Sequence, residues 1–168
     1  MTGNFNLRQA APEDAVCLAE IAQKTWWRTY PGIIKDAQIA YMLARGYTAE
    51  AVKLSMQQHT WWILENALNK KGFGFMATSV RTDGMETWLF VNKLYLLPAM
   101  QGTGLGRFMI GEATAWARTR GIQTLKLNVN RKNPSYHFYL KTGFEVECEA
   151  DFPYAGYVLN DYVMRRKV

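Results

Sequence analysis

Cysteine is scarce in this chain. Cys17 and Cys148 are the only two among 168 residues, too few for a disulfide framework. Histidine is equally rare. His59 and His137 have no partners at the spacing of a metal site or a catalytic triad, and no metal is expected. No apolar run approaches the ~20 residues needed to cross a bilayer, so no membrane association is expected. The N-terminus lacks a basic segment followed by an apolar one, so no secretory signal is visible and the cytoplasm is the default location. There is no linker and no internal repeat, and residues 1–168 read as one domain.

Acids are outnumbered, 14 against 20 lysines and arginines, which leaves a net charge of +6. Nucleic-acid binding is one reading of that excess. The basic residues are scattered, however, apart from the short tail Arg165-Arg166-Lys167, so nucleic acid is not an expected partner. Ordinary surface solubility explains most of the charge, and an anionic cofactor would meet some of it. A hydrophobic content of 49% against 20% charged residues excludes a disordered chain.

What the chain does have is one organising stretch, Leu94 to Trp116. Leu94, Tyr95, Leu96 and Leu97 end an apolar strand at Pro98. The loop Gln101-Gly102-Thr103-Gly104-Leu105-Gly106-Arg107 follows. Leu105, Met109, Ala113 and Trp116 then recur at helical spacing. Glycines let the backbone approach a ligand closely, the helix N-terminus adds partial positive charge, and Arg107 adds a full one. The device holds a phosphate. A dinucleotide loop would need its third glycine where Arg107 stands, and a triphosphate loop would need G-K-[ST], which is missing.

The pattern that fits is [R/Q]-x-x-G-x-[G/A], filled by Gln101, Gly104 and Gly106. With it, the chain resembles the GCN5-related N-acetyltransferase (GNAT) family, whose loop of this form wraps the pyrophosphate of coenzyme A. A second segment strengthens the resemblance: Asn133-Pro134-Ser135-Tyr136-His137-Phe138-Tyr139, then Lys141-Thr142-Gly143-Phe144. It is similar to the family's N-x-x-A-x-x-F-Y-x-x-x-G-F, in the family's order.

The element pattern is α+β. A short strand holds Phe5 and Leu7. A helix opens at Pro12-Glu13-Asp14 and stops before Pro31. Further helices span Asp36 to Leu43 and Thr48 to about Gln58. Strands follow at Trp61–Leu64, Phe73–Val80 and Trp88–Leu97. After the central helix come a strand at Leu125–Val129, a helix at Pro134–Thr142, and strands at Phe144–Cys148 and Tyr157–Met164. The resemblance implies a GNAT fold: a mixed, mostly antiparallel sheet of about seven strands, splayed at the cofactor site and flanked by helices on both faces.

It also implies acetyl-CoA as cosubstrate and direct attack of an amine within a ternary complex. The pantetheine arm is expected along Leu94, Tyr95 and Leu96. The pyrophosphate is expected on Gln101, Gly102, Thr103, Gly104, Leu105, Gly106 and Arg107. Asn133 is carried over as a contact to the arm, with Asn130 a weaker candidate. Both also suit turns. Lys141 meets a cofactor phosphate or is a solvated helix residue. Tyr139 is the expected acid, because a phenol stays protonated at neutral pH and can protonate the leaving thiolate. Tyr136, one turn back, is expected to pack.

The base is not legible. Many relatives carry a glutamate on the strand before the loop. Here the strand reads Val91-Asn92-Lys93. Asn92 can orient a water but cannot take a proton. Glu86 lies further back, and Asp161 and Glu145 are candidates elsewhere. The acceptor pocket is expected around Trp26, Trp27 and Tyr30, whose aromatic faces suit aliphatic chains and cations. Glu145, Glu147, Glu149 and Asp151 alternate at strand period, either as a solvated face or as a lure for a polycation. Cys148 reads as core.

Thr25-Trp26-x-x-Thr29-Tyr30 and the C-terminal segment look like the bacterial branch that holds PaiA-type polyamine acetyltransferases. That similarity implies a small primary amine acceptor. Acetylation of a protein N-terminus or ribosomal protein, and a non-catalytic acyl-CoA-binding module, are the alternatives. Family members are often homodimers, but no interface signature is visible.

Overall fold

The computed structural model describes residues 4–168. Seven strands form one sheet in the order β1-β2-β3-β4-β5-β7-β6. They are β1 (Phe5–Gln9), β2 (Thr60–Asn66), β3 (Gly72–Thr82), β4 (Thr87–Leu96), β5 (Thr124–Asn130), β6 (Glu145–Tyr154) and β7 (Tyr157–Lys167). Every neighbouring pair is antiparallel except β4 with β5. That parallel pair needs a crossover, and the central helix supplies it.

Strand periodicity sorts side chains onto two faces. On one face, Ile63, Phe75 and Ala77 pack under α1 (Ala15–Thr29), α2 (Asp36–Gly46) and α3 (Ala49–Ser55). On the other, Met76, Val91, Leu125 and Leu127 pack under α4 (Leu105–Arg118) and α5 (Ser135–Lys141). Helix α4 buries Leu105, Met109, Ile110, Ala113 and Ala117, one stripe at helical spacing. Thr48 caps α3 by accepting from the Ala51 N–H at 3.1 Å. That helix ends at Ser55 rather than at about Gln58, and the Ser55 hydroxyl meets His59 Nδ1 and accepts from the Trp61 indole.

The C-terminal hairpin corrects two expectations. A bulge between Val146 and Cys148 breaks the alternation of β6. Glu145 sits opposite Arg165 and Glu149 opposite Tyr162, an odd interval along β7, so the four acids do not share a face. Three of them are also matched by bases: Glu147 with Lys126 and Arg165, Glu149 and Asp151 with Arg131. The row is a paired surface, not an open lure for a polycation. Cys148 lies exposed on this edge strand rather than in the core, because β6 is open to solvent along nearly its whole length.

Candidate active site

The site begins where two strands part. Pairing of β4 with β5 runs from Leu89–Leu125 to Val91–Leu127 and then stops. At that point β4 carries a bulge: Thr78 faces Val91 and Ala77 faces Lys93, with Asn92 the extra residue. Beyond it β4 pairs only with β3, while β5 continues to Asn130 paired with β7. The main-chain groups of Asn92–Leu96 on the β5 side therefore lack a strand partner, and such groups seek one. A cleft of about 720 Å³ occupies the splay.

Most of the predicted residues line this cleft. Leu94, Tyr95 and Leu96 form the β4 wall, and Gln101, Gly102, Gly104, Gly106 and Arg107 the loop end. Gly102 and Gly104 have φ of +75° and +88°, with nothing within 4 Å of where a Cβ would stand. A side chain would be strained there and would fill the space a ligand needs. The first i→i−4 bond of α4 is Phe108 N–H to Gly104 O, so the N–H groups of Leu105, Gly106 and Arg107 stay free toward the loop. Gln101 turns back to donate to Leu96 O at 3.2 Å, tying the loop to the strand. Thr103 and Leu105 do not line the cleft with their side chains. Thr103 donates to Met100 O, and Leu105 is core.

Asn133, Tyr139 and Lys141 line the opposite wall, with α5. Asn133 Oδ1 accepts from the Ser135 N–H at 2.9 Å, so turn chemistry positions it at the cleft. The Lys141 carbonyl accepts from Arg107, joining α5 to α4. Tyr139 is buried at 8% exposure, between Phe138 and Phe144. Burial alone pushes its phenol up to about 12, so it holds its proton across the physiological range. Tyr136 packs on Tyr162.

On the α1 face, Trp26 is buried against Tyr30, Tyr47 and Tyr95. Tyr30 and Tyr95 hydroxyls meet at 3.0 Å, and burial raises both pKa values. Trp26 and Tyr30 line the cleft, whereas Trp27 points outward at 44% exposure and does not. One turn of helix cannot aim two consecutive residues at the same place.

Sequence reasoning passed over α2, which contributes Gln38 and Met42, and Tyr47 after it. It also passed over Lys93 and Asn128 as lining residues. Lys93 stood in view as the residue next to a missing glutamate. Only the bulge puts its side chain on the same face as Phe90 rather than on that of Val91. Asn92 is fully engaged: it donates to Ser79 and Phe90 O and accepts from Arg81 at 2.7 Å. Glu86 accepts from Thr124, pairs with Lys126 and Arg165, and lies away from the cleft.

Asp161 is the sole carboxylate lining the cleft among the described residues. It sits on β7 opposite Asn130. Arg131 turns toward Asp151 at 2.8 Å and Glu149 at 3.9 Å, which leaves the Asp161 side chain without an ion pair among the described residues. Desolvation raises its pKa to about 6; Arg131 opposes that rise and Asp151 adds to it. Tyr30, Tyr139 and Asp161 line the same cleft.

Residues 57–146 match the family model described as an acetyltransferase (GNAT) domain. The chain belongs to the GNAT family. It is an acetyl-CoA-dependent N-acyltransferase. An uncharacterized N-acetyltransferase of Mycobacterium tuberculosis is 30% identical over 156 residues, 92% of this chain and 98% of its own. The spermidine N(1)-acetyltransferase of Thermoplasma acidophilum is 27% identical over 150 residues, 86% and 90% of the two chains. The crystal structure of a PaiA N-acetyltransferase from the same organism in complex with coenzyme A superposes with a TM-score of 0.80. It is 24% identical and covers 98% of this GNAT chain and 99% of its own.

Proposed function

We propose that this single domain transfers the acetyl group of acetyl-CoA to the primary amine of a small molecule by direct attack. The observation that carries the proposal is the meeting, in one cleft, of the anion-holding loop, the protonated Tyr139 and the unpaired Asp161. The thioester lies in the splay, its arm along Leu94–Leu96 and its pyrophosphate on the free N–H groups ahead of Phe108. Unpaired β4 amides near the bulge polarise its carbonyl. Asp161 draws in the acceptor ammonium and takes one proton from it. The freed nitrogen attacks, a C–N bond forms and the C–S bond breaks. Tyr139 gives its proton to the departing sulfur and regains one from the acetylated nitrogen through solvent.

No cysteine lines the cleft, and Ser135, the one serine among its described lining residues, has no histidine hydrogen-bonded to it, so no cysteine or serine there is activated for a covalent acyl-enzyme. Holding both substrates together does much of the work instead. A polyamine is the acceptor suggested by the name of the Thermoplasma relative. We assign the protein to the cytoplasm, consistent with its two free thiols. The test is release of coenzyme A thiol from acetyl-CoA across a panel of amines, amino acids and short peptides, with the product confirmed by mass. Turnover of at least one primary amine is expected. Tight acetyl-CoA binding with no turnover of any amine would overturn the proposal in favour of a binding module.

A further inference from the structure

The acceptor side of the cleft carries two opposite charges. Lys93 and Tyr95, two apart on β4, share a face. Lys93 lies opposite Ala77 and Phe90 opposite Ser79, so Phe90 is on that face too. Phe90 pairs with Lys126, and Asn128 and Asn130 follow Lys126 at strand period, with Asp161 opposite Asn130. Lys93 and Asp161 therefore look into the cleft from the same side of the sheet, the side covered by α1 and α2. They are also level. Two residues past the last β4–β5 pair, Lys93 comes abreast of Val129, one residue from the Asn130–Asp161 pair. Two inter-strand spacings, about 10 Å before the splay widens them, separate their backbones.

The two charges do not pair with each other, and Lys93 is held by aromatic neighbours, Tyr47 and Trp61, rather than by a carboxylate. Lys93 donates to the Tyr47 hydroxyl at 3.2 Å and lies 4.4 Å from that ring's centre. It has no carboxylate partner among the described residues. Asp161 has no ion pair among the described residues, since Arg131 turns to Asp151 and Glu149. Between them stand neutral groups: Asn128, Asn130 and the tyrosine hydroxyls. The remaining cations of the cleft, Arg107 and Lys141, belong to the loop end.

A polyamine fits this lining poorly. Each of its ammonium groups wants a carboxylate, and the cleft offers one. Lys93 repels a second ammonium at the position where it would lie. The acids of β6 do not line the cleft, and Glu147, Glu149 and Asp151 are paired with Lys126, Arg165 and Arg131. A molecule with one ammonium and one carboxylate meets both charges at once. We propose that the acceptor of this enzyme is a small amino acid, its ammonium on Asp161 and its carboxylate on Lys93. This rests on the acetyltransferase reading above and specifies its substrate class.

The experiment compares kcat/KM for amines with and without a carboxylate: glycine against methylamine, β-alanine against ethylamine, 4-aminobutyrate against propylamine, with spermidine and putrescine alongside. At least one carboxylate-bearing acceptor should exceed its partner tenfold or more and exceed spermidine as well. Lys93→Met should bring that ratio to near one, mainly through KM. Lys93→Glu should invert it and raise relative activity on putrescine. Acetyl-CoA affinity, measured by calorimetry, confirms that each variant is folded. A wild-type preference for spermidine, or a ratio that survives Lys93→Met, overturns the inference while leaving the acetyltransferase reading intact. Absence of turnover with every amine overturns both.

Discussion

Asp161→Asn is a change that should make the protein more stable and less active at once. The carboxylate is held in a partly buried cleft without an ion pair, and burial lifts its pKa to about 6. The folded state therefore holds this proton more tightly than the unfolded chain does. Stability falls as pH rises from about 4, where an unfolded aspartate ionises, to about 6, where the folded one does. Above pH 6 the folded protein carries the whole cost of an ionised, desolvated carboxylate. A displacement of this size is worth about 3 kcal/mol for a fully buried group. Partial exposure of Asp161 brings it to about 1–2 kcal/mol. Asparagine keeps the shape and removes the charge. The variant should gain about that amount at pH 7.5 and nothing below about pH 4. Activity should move the other way. Wild-type kcat/KM should fall on the acid side with a midpoint near 6, and the asparagine variant should lose that limb along with roughly 10²–10⁴ in turnover. Urea midpoints at the two pH values and a pH–rate profile of thiol release measure both. An acid limb that persists in the variant, or turnover that does not change, refutes the role given to Asp161.

Tyr139→Phe should lower kcat by about 10²-fold or more while acetyl-CoA affinity by calorimetry stays within a few-fold, since the hydroxyl serves the leaving group. Gly104→Val should weaken acetyl-CoA binding by at least tenfold, because valine is strained at a φ of +88° and its side chain would fill the space beside the loop; equal affinity would undo the loop assignment. Arg8→Met should cost about 3 kcal/mol in a denaturation series. It strips the buried Glu65, 1% exposed, of its 3.0 Å partner and frees Asp14 as well.

The legible part of this molecule was the part that local chemistry dictates. The apolar strand before Pro98, the glycine loop and the stripe of Leu105, Met109 and Ala113 name their own conformations, and they mark one end of the cleft. The Asn133–Tyr139 segment marks the wall across from it. The acceptor side was less legible because long-range register builds it. Lys93 joins the cleft through a bulge at Asn92 that no local signal announces. Asp161 reaches it from the far end of the chain, through the order β5-β7-β6. The alternation of Glu145 to Asp151 suggested one face, and a second bulge divides it. Trp26 and Trp27 look equivalent in the sequence; the direction of α1 alone decides that one lines the cleft and the other faces solvent.

The central claim is that the acetyl group passes directly from thioester to amine within one ternary complex in the splay. Initial velocity against both substrates, varied together, tests it most directly. Double-reciprocal lines that intersect are the predicted result. Parallel lines, with a burst of coenzyme A release in the absence of amine, would reveal a covalent acyl-enzyme and contradict the account.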